Sequence, residues 1–237
     1  MTKPVSHGRV LEKAPEGLLS EENRHRLINV LRMKPGDSFI ITDGSGHEAE
    51  AVLQENATYT SNGWEEPMRE PALKAILYAA VTKGDRFETL IEKAVEMGTA
   101  KIVPVISKRC LVKQPNENKL DRWRKIALSA MIQCGSCLLP EIADPVFFDE
   151  IPAPEKGAKA FLFHEKPLEQ SINSLQKADT ESKKVYLATG PEGGFTQEEA
   201  EKLIKLSWQP IWLGKRLFRA DTAPIIALAN LLSPYWI

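Results

Sequence analysis

The spacing of apolar residues changes character near residue 70 of this chain. Before that point apolar positions come in short stretches. Glu21 to Met33 carries Leu27, Val30 and Leu31 on one helical face, and Ser20 stands where an N-cap belongs. Lys34-Pro35-Gly36-Asp37 stops that helix. Ser38 to Thr42 has strand character, Asp43-Gly44 signals a turn, and Glu48 to Leu53 alternates polar and apolar residues. Ser61-Asn62-Gly63 marks a further turn, and Pro67 and Pro71 bracket a linker. The pattern predicts hairpins in a small β-rich domain over 1–70.

From Ala72 onward apolar runs of strand length alternate with helical stripes, which predicts a second domain over 71–237. Strands are expected at Ala75 to Val81, Ile102 to Ile106, Ala160 to Phe163, Val185 to Thr189 and Ile211 to Leu213. Asp85 to Met97 places Phe87, Leu90, Ile91 and Ala94 on one helical face, and Gly98 stands where the helix should end. Lys119 to Gln133 has Leu120, Trp123, Ala127 and Ala130 on one stripe, and Pro167 to Ala178 is a further expected helix. Thr196 and Glu199 have the spacing of a capping box for a helix reaching Leu206. Asp221 or Thr222 caps a last helix to Leu232, with Pro224 tolerated in its first turn. Strands alternating with helices predict a mostly parallel α/β sheet covered on both faces.

Two glycine-bearing turns follow two of these strands. Val185-Tyr186-Leu187-Ala188 runs into Thr189-Gly190-Pro191-Glu192-Gly193-Gly194-Phe195-Thr196. Ile211-Trp212-Leu213 runs into Gly214-Lys215-Arg216-Leu217-Phe218-Arg219-Ala220-Asp221-Thr222. Glycines let a backbone approach a ligand where a side chain would collide. Two such loops at the carboxyl ends of neighbouring parallel strands would enclose a small-molecule crevice. The first loop lacks the Gly-Lys-Ser/Thr of a phosphate loop and the Gly-x-Gly-x-x-Gly of a dinucleotide fold. The second carries Arg216 and Arg219 beside Asp221; a planar guanidinium suits an anionic substrate.

Composition narrows the partners. Acids and bases nearly cancel over 237 residues, leaving a formal charge of −1, so nucleic acid would have to be met by local patches. An apolar share of 43% supports an ordinary core. No apolar run approaches the roughly 18 residues of a spanning helix, and Met1 to His7 lacks the apolar region of a signal peptide. Three cysteines do not make a disulfide framework, so a reducing, cytoplasmic setting is expected. Cys134-Gly135-Ser136-Cys137 invites a redox or zinc reading. It follows a helix instead of opening one, and only Cys110 and four scattered histidines could complete a site, so no metal is expected. Arg24, His25 and Arg32 form a candidate RNA-contact patch, although acids outnumber bases in this first domain. Arg86, in Lys83-Gly84-Asp85-Arg86, could face the crevice, as could His164 at the end of Phe161-Leu162-Phe163.

In this order and spacing the residues resemble the RsmE family of 16S ribosomal RNA uridine-N3 methyltransferases, within the SPOUT superfamily. The resemblance is carried by His25 to Arg32 with Gly36-Asp37, Lys83 to Arg86, Glu92-Lys93-Ala94 and Glu96-Met97-Gly98. Its most specific part is the pair formed by Gly190 to Gly194 and Leu213-Gly214-x-Arg216-x-x-Arg219-x-Asp221-Thr222. It implies a PUA-like β-rich domain followed by a trefoil-knotted domain, a topology that periodicity could not suggest because knots are so rare. It also implies S-adenosylmethionine as cofactor, 16S ribosomal RNA as partner, and a homodimer completing each site at the subunit interface. Carried onto this chain, the cofactor site would comprise Leu162, Thr189, Gly190, Pro191, Glu192, Gly193, Gly194, Leu213, Gly214, Leu217 and Thr222. Arg216 would join Arg24, His25, Arg32 and Arg86 in contacting RNA, and Arg219, Asp221 and Glu192 would be catalytic.

The chain departs from the family pattern at Gln133-Cys134-Gly135-Ser136, which lacks the family's frequent arginine, and at Leu138, Lys215 and Asp221. Of the usual Arg-Phe-Phe opening only Arg9 remains. Two alternatives therefore stand beside the main reading: a SPOUT enzyme methylating ribose 2′-OH or transfer RNA, and an RNA-binding assembly protein that no longer turns over.

Overall fold

The computed structural model describes residues 8–112, 114–169, 171–172 and 182–236. These form two compact units. The first comprises the described residues through Glu70 together with Leu128–Leu139; the second comprises Pro71–Ala127 and the described residues from Pro140 onward.

The first unit is a five-stranded sheet in the order β1-β3-β4-β5-β2, built from β1 (Arg9–Leu11), β2 (Gly17–Leu18), β3 (Ser38–Thr42), β4 (Glu48–Leu53) and β5 (Thr58–Ser61). β1 pairs parallel with β3, and the other pairs are antiparallel. Alternation buries Phe39 and Ile41 from β3 and Ala49, Ala51 and Leu53 from β4, with Leu27 and Tyr59 in the same core. The expected helix is present as one α-turn, α1 (Glu21–Arg24), continued by a π-helical stretch, His25–Val30. Ser20 holds the N-cap position, yet its hydroxyl donates to Glu12 Oε1 at 3.1 Å instead of capping the helix. The same oxygen accepts from the Ser20 N–H and from Asn23 Nδ2, so a buried carboxylate gathers three donors and meets the requirement that buried charge be hydrogen-bonded.

Arg9 is buried and donates through Nη1 to Glu48 Oε2 at 2.7 Å and through Nη2 to the Ser136 carbonyl at 3.1 Å. Arg69 also reaches Glu48 and donates to the Gly135 carbonyl at 2.8 Å. Glu70 accepts from Ser136 Oγ at 2.7 Å and from the Cys137 N–H at 3.1 Å. Arg9, Arg69 and Glu70 thereby attach the Cys134 to Cys137 segment to the first unit. Cys137 is buried and its thiol pKa is raised, chiefly by burial, whereas Cys134 at the other end of the same motif is exposed.

The second unit is a parallel seven-stranded sheet with path β12-β10-β11-β6-β7-β8, and β9 also pairs with β7. Its strands are β6 (Lys74–Ala80), β7 (Lys101–Ile106), β8 (Glu141–Ile142), β9 (Val146–Phe147), β10 (Lys159–Phe163), β11 (Lys184–Thr189) and β12 (Gln209–Ile211). The helices are α2 (Arg86–Glu96), α3 (Glu117–Cys134), α4 (Gln197–Lys205) and α5 (Ala223–Leu232). α2 buries Phe87, Leu90, Ile91 and Ala94, the stripe read from the sequence. The residues of α3 from Leu128 on belong to the first unit. The capping box forms as expected: the Glu199 N–H donates to Thr196 Oγ1 at 3.2 Å, and the Thr196 N–H donates to Glu199 Oε2 at 2.8 Å.

Two expectations shift. β12 ends at Ile211 and excludes Leu213, because the Trp212 N–H turns to the Ile172 carbonyl instead of continuing the ladder to β10. Of the helix expected over Pro167 to Ala178, positions 170 and 173–178 lie outside the described residues, and the others are not helical.

Candidate active site

β11 and β12, which lead into the two glycine loops, are not neighbours; β10 lies between them. The expectation of adjacent strands is therefore corrected. The chain leaves β11, forms α4, and returns on the far side of β10, an order that strand periodicity does not carry. In register, Phe163 of β10 is level with Thr189 of β11 on one side and Ile211 of β12 on the other. Because all three strands are parallel, their carboxyl-terminal segments emerge at one end of the sheet. There they line a cleft of about 670 Å³, within the usual range for a cofactor pocket.

One wall is Thr189 to Gly194, the opposite wall is Trp212 to Gly214 and Arg216 to Ala220 with Ala223, and Phe163 to Lys166 lies at the end of β10. The glycines of the first wall answer to close approaches, one within the loop and two from segments packed against it. A Cβ at Gly190 would stand 2.7 Å from the Phe195 nitrogen, because the loop folds back upon itself there. Gly194 has φ +66°, and a Cβ there would collide with the Glu165 carboxylate. At Gly193 a Cβ would press on the aliphatic stem of Arg109 at 3.3 Å, so this position is shaped by Arg109 and not by the open cleft. Arg109 Nη1 donates to the Gly193 carbonyl at 2.6 Å and, more weakly, to that of Phe195 at 3.4 Å, fixing the loop. The sequence reading missed Arg109; it lies just beyond β7 and carries no local motif.

Of the candidate catalytic residues, Arg219 and Glu192 line the cleft, whereas Asp221 does not. Glu192 is engaged: its Oε1 accepts the Lys83 N–H at 3.0 Å and lies 3.4 Å from Arg86 Nη1. This ties the turn before α2 to the first loop and brings Arg86 to the cleft. Arg219 is exposed, and among the described residues its guanidinium forms no hydrogen bond or ion pair. Its carbonyl instead accepts the N–H groups of Thr222 and Ala223 at the start of α5. Asp221 Oδ1 is buried without a partner among the described residues.

Of the candidate cofactor residues, Thr189, Gly190, Pro191, Glu192, Gly193, Gly194, Leu213, Gly214 and Leu217 line the cleft. Leu162 does not: it is fully buried in the sheet core, and Phe163 and His164 take its place. Thr222 is also off the lining, at the N-cap of α5. Trp212, Phe218, Glu165 and Lys166 line the cleft without having been singled out. Of the RNA-contact candidates, Arg86 and Arg216 line it. Arg24, His25 and Arg32 are exposed in the first unit, none in an ion pair among the described residues.

Residues 69–232 match the family model of the RNA methyltransferase domain, and residues 19–57 match that of the RNA methyltransferase PUA domain. The first match alone spans more than half of the chain. The chain belongs to this RNA methyltransferase family. It is 35% identical over 217 residues to ribosomal RNA small subunit methyltransferase E of Synechocystis sp., covering 90% of this chain and 71% of that one. The enzyme of the same name from Bacillus subtilis is 29% identical over 235 residues, covering 92% and 90%. Among solved structures, ribosomal RNA small subunit methyltransferase E from Neisseria gonorrhoeae, bound to S-adenosyl methionine, aligns with a TM-score of 0.81 at 27% identity, covering 96% of this chain and 98% of that one. The methyltransferase match spans all three strand ends that line the cleft, so the crevice read from the two loops lies within the family's own domain.

Proposed function

We propose that this chain transfers the methyl group of S-adenosylmethionine to N3 of a uridine in 16S ribosomal RNA of the small ribosomal subunit. The observation that carries this reading is the convergence of three parallel strand ends on one cleft, with a self-folded glycine loop on one wall and, on the other, Arg216 and Arg219, unpaired among the described residues.

The residues present fit the cofactor. The cleft has the volume for a nucleoside with an amino-acid tail, and Thr189 Oγ1 at its edge is buried without a partner among the described residues, a polar atom awaiting a ligand. Thr189 to Gly194, with Leu213, Gly214 and Leu217, would hold the cofactor, which supplies an electrophilic methyl group on a sulfonium. Uridine N3 is a weak nucleophile until its proton leaves, and it lies on the Watson–Crick edge, so the target base must be unpaired or flipped. Arg219, free in the cleft, orients the base and stabilises its developing anion. Arg216 meets phosphate. Glu192 lines the cleft, where it holds the Lys83 N–H and Arg86, and it remains a candidate to take up the N3 proton; Asp221, off the cleft lining, would act by holding Arg219.

The same proposal assigns 1–70 to RNA binding through Arg24, His25 and Arg32, and 71–237 to catalysis in a trefoil-knotted domain. It includes a cytoplasmic homodimer, for which the half-buried Ile225 and Ile226 of α5 offer apolar surface. No described helix is long and apolar enough to cross a membrane. The test is mass spectrometry of 16S ribosomal RNA from cells with and without the gene. Loss of one N3-methyluridine is expected; an unchanged pattern, or loss of a 2′-O-methyl group instead, refutes the reading.

A further inference from the structure

The segment after β10, His164-Glu165-Lys166, lines the cleft between the two loops, and it contains an exposed carboxylate that no described residue pairs with. Among the described residues Glu165 forms no hydrogen bond and no ion pair. Its isolation is specific. The other acid of the cleft, Glu192, is taken up by the Lys83 N–H and Arg86. Lys166, Arg216 and Arg219 line the same cleft, yet none pairs with Glu165. The first loop also yields room to it: a Cβ at Gly194 would lie 2.8 Å from Glu165 Cδ and 2.9 Å from Oε1. The loop backbone therefore passes close to a carboxylate that has no counter-charge among the described residues.

An ionised carboxylate only accepts hydrogen bonds, and it binds most strongly to a positively charged donor. S-adenosylmethionine carries two cationic centres. Its sulfonium has no N–H, whereas its α-ammonium has three. We propose that Glu165 receives the α-ammonium at the amino-acid end of the cofactor. The inference rests on the function proposed above.

Titration calorimetry on the full chain tests it, comparing the wild type with Glu165→Gln. The probes are S-adenosylmethionine, S-adenosylhomocysteine and 5′-methylthioadenosine, the last of which lacks the amino-acid end. Glu165→Gln should weaken the first two alike, by about tenfold, because one charge-assisted bond at an exposed site is lost. It should leave 5′-methylthioadenosine unchanged, and the melting temperature of the unliganded protein should not move. Unchanged affinity for S-adenosylmethionine overturns the assignment. So does an equal loss for all three probes, which would make Glu165 a support for the loop. A loss confined to S-adenosylmethionine would place the carboxylate at the sulfonium and also overturns it. A wild-type chain that binds none of the probes defeats the proposed function itself, a result separable from all of these.

Discussion

Arg219→Ala should separate catalysis from binding, because the backbone of this residue has a structural task that the side chain does not share. The Arg219 carbonyl accepts the Thr222 N–H at 3.0 Å and the Ala223 N–H at 2.9 Å, which starts α5; alanine preserves both bonds. The guanidinium is exposed and unpaired among the described residues, so its loss should change stability by no more than about 0.5 kcal/mol. Its proposed part in the reaction is electrostatic. A guanidinium about 4 Å from a developing uridine anion, at an effective dielectric constant of about 20, is worth about 4 kcal/mol, and residual solvent lowers that figure. The expected loss is therefore about 10²–10³ in the methyl-transfer rate. Single-turnover methylation of 16S ribosomal RNA gives the rate, calorimetry gives the cofactor dissociation constant, and a thermal melt reports the fold. A rate fall of this size with an unchanged dissociation constant is expected. A parallel fall in rate and cofactor affinity would refute the reasoning and make Arg219 a loop support.

Gly194→Ala must adopt φ near +66° and displace Glu165, so it should cost about 1–2 kcal/mol in stability and weaken S-adenosylmethionine binding; a variant with wild-type melting and affinity would contradict the geometry. Thr196→Ala removes the side-chain cap of α4 and should cost about 1 kcal/mol in urea denaturation, with the Glu199 bond to the Thr196 N–H left in place. Glu48→Ala strands the buried Arg9 charge and should destabilise the protein by about 3–5 kcal/mol, again read by urea denaturation. Burial by itself would raise the Glu48 carboxyl, but hydrogen bonds and charge from Arg69 and Arg9 outweigh it and hold the group below the usual carboxylate range. Its contribution is therefore present above its unfolded pKa and is lost as pH falls through the depressed folded value. Urea melts from neutral to acid pH should show that loss in the wild type and a flatter acid limb in Glu48→Gln.

What could be read without the structure was whatever repeats within a few residues. The buried stripe of α2, the stripe of Leu120, Trp123, Ala127 and Ala130 on α3, and the capping box of α4 follow from contacts three and four positions apart, so a single segment contains the whole signal. The two glycine loops were legible for the same reason. The two-residue strands β2, β8 and β9 were not, because so short a run has no period to detect.

Tertiary structure decided the rest, through hydrogen bonds between residues far apart in the chain. It inserted β10 between β11 and β12 and so placed Glu165 between loops that had been expected to face each other directly. It buried Leu162, which shares its strand with cleft residues, and it committed Glu192 to Lys83 and Arg86, more than a hundred positions away. It also joined Leu128–Leu139 to the first unit through Arg9, Arg69 and Glu70. Sequence sets which face of a segment is apolar and where it can turn. Which segment lies beside it depends on pairing and packing summed over the whole chain, and no single stretch of sequence contains that sum.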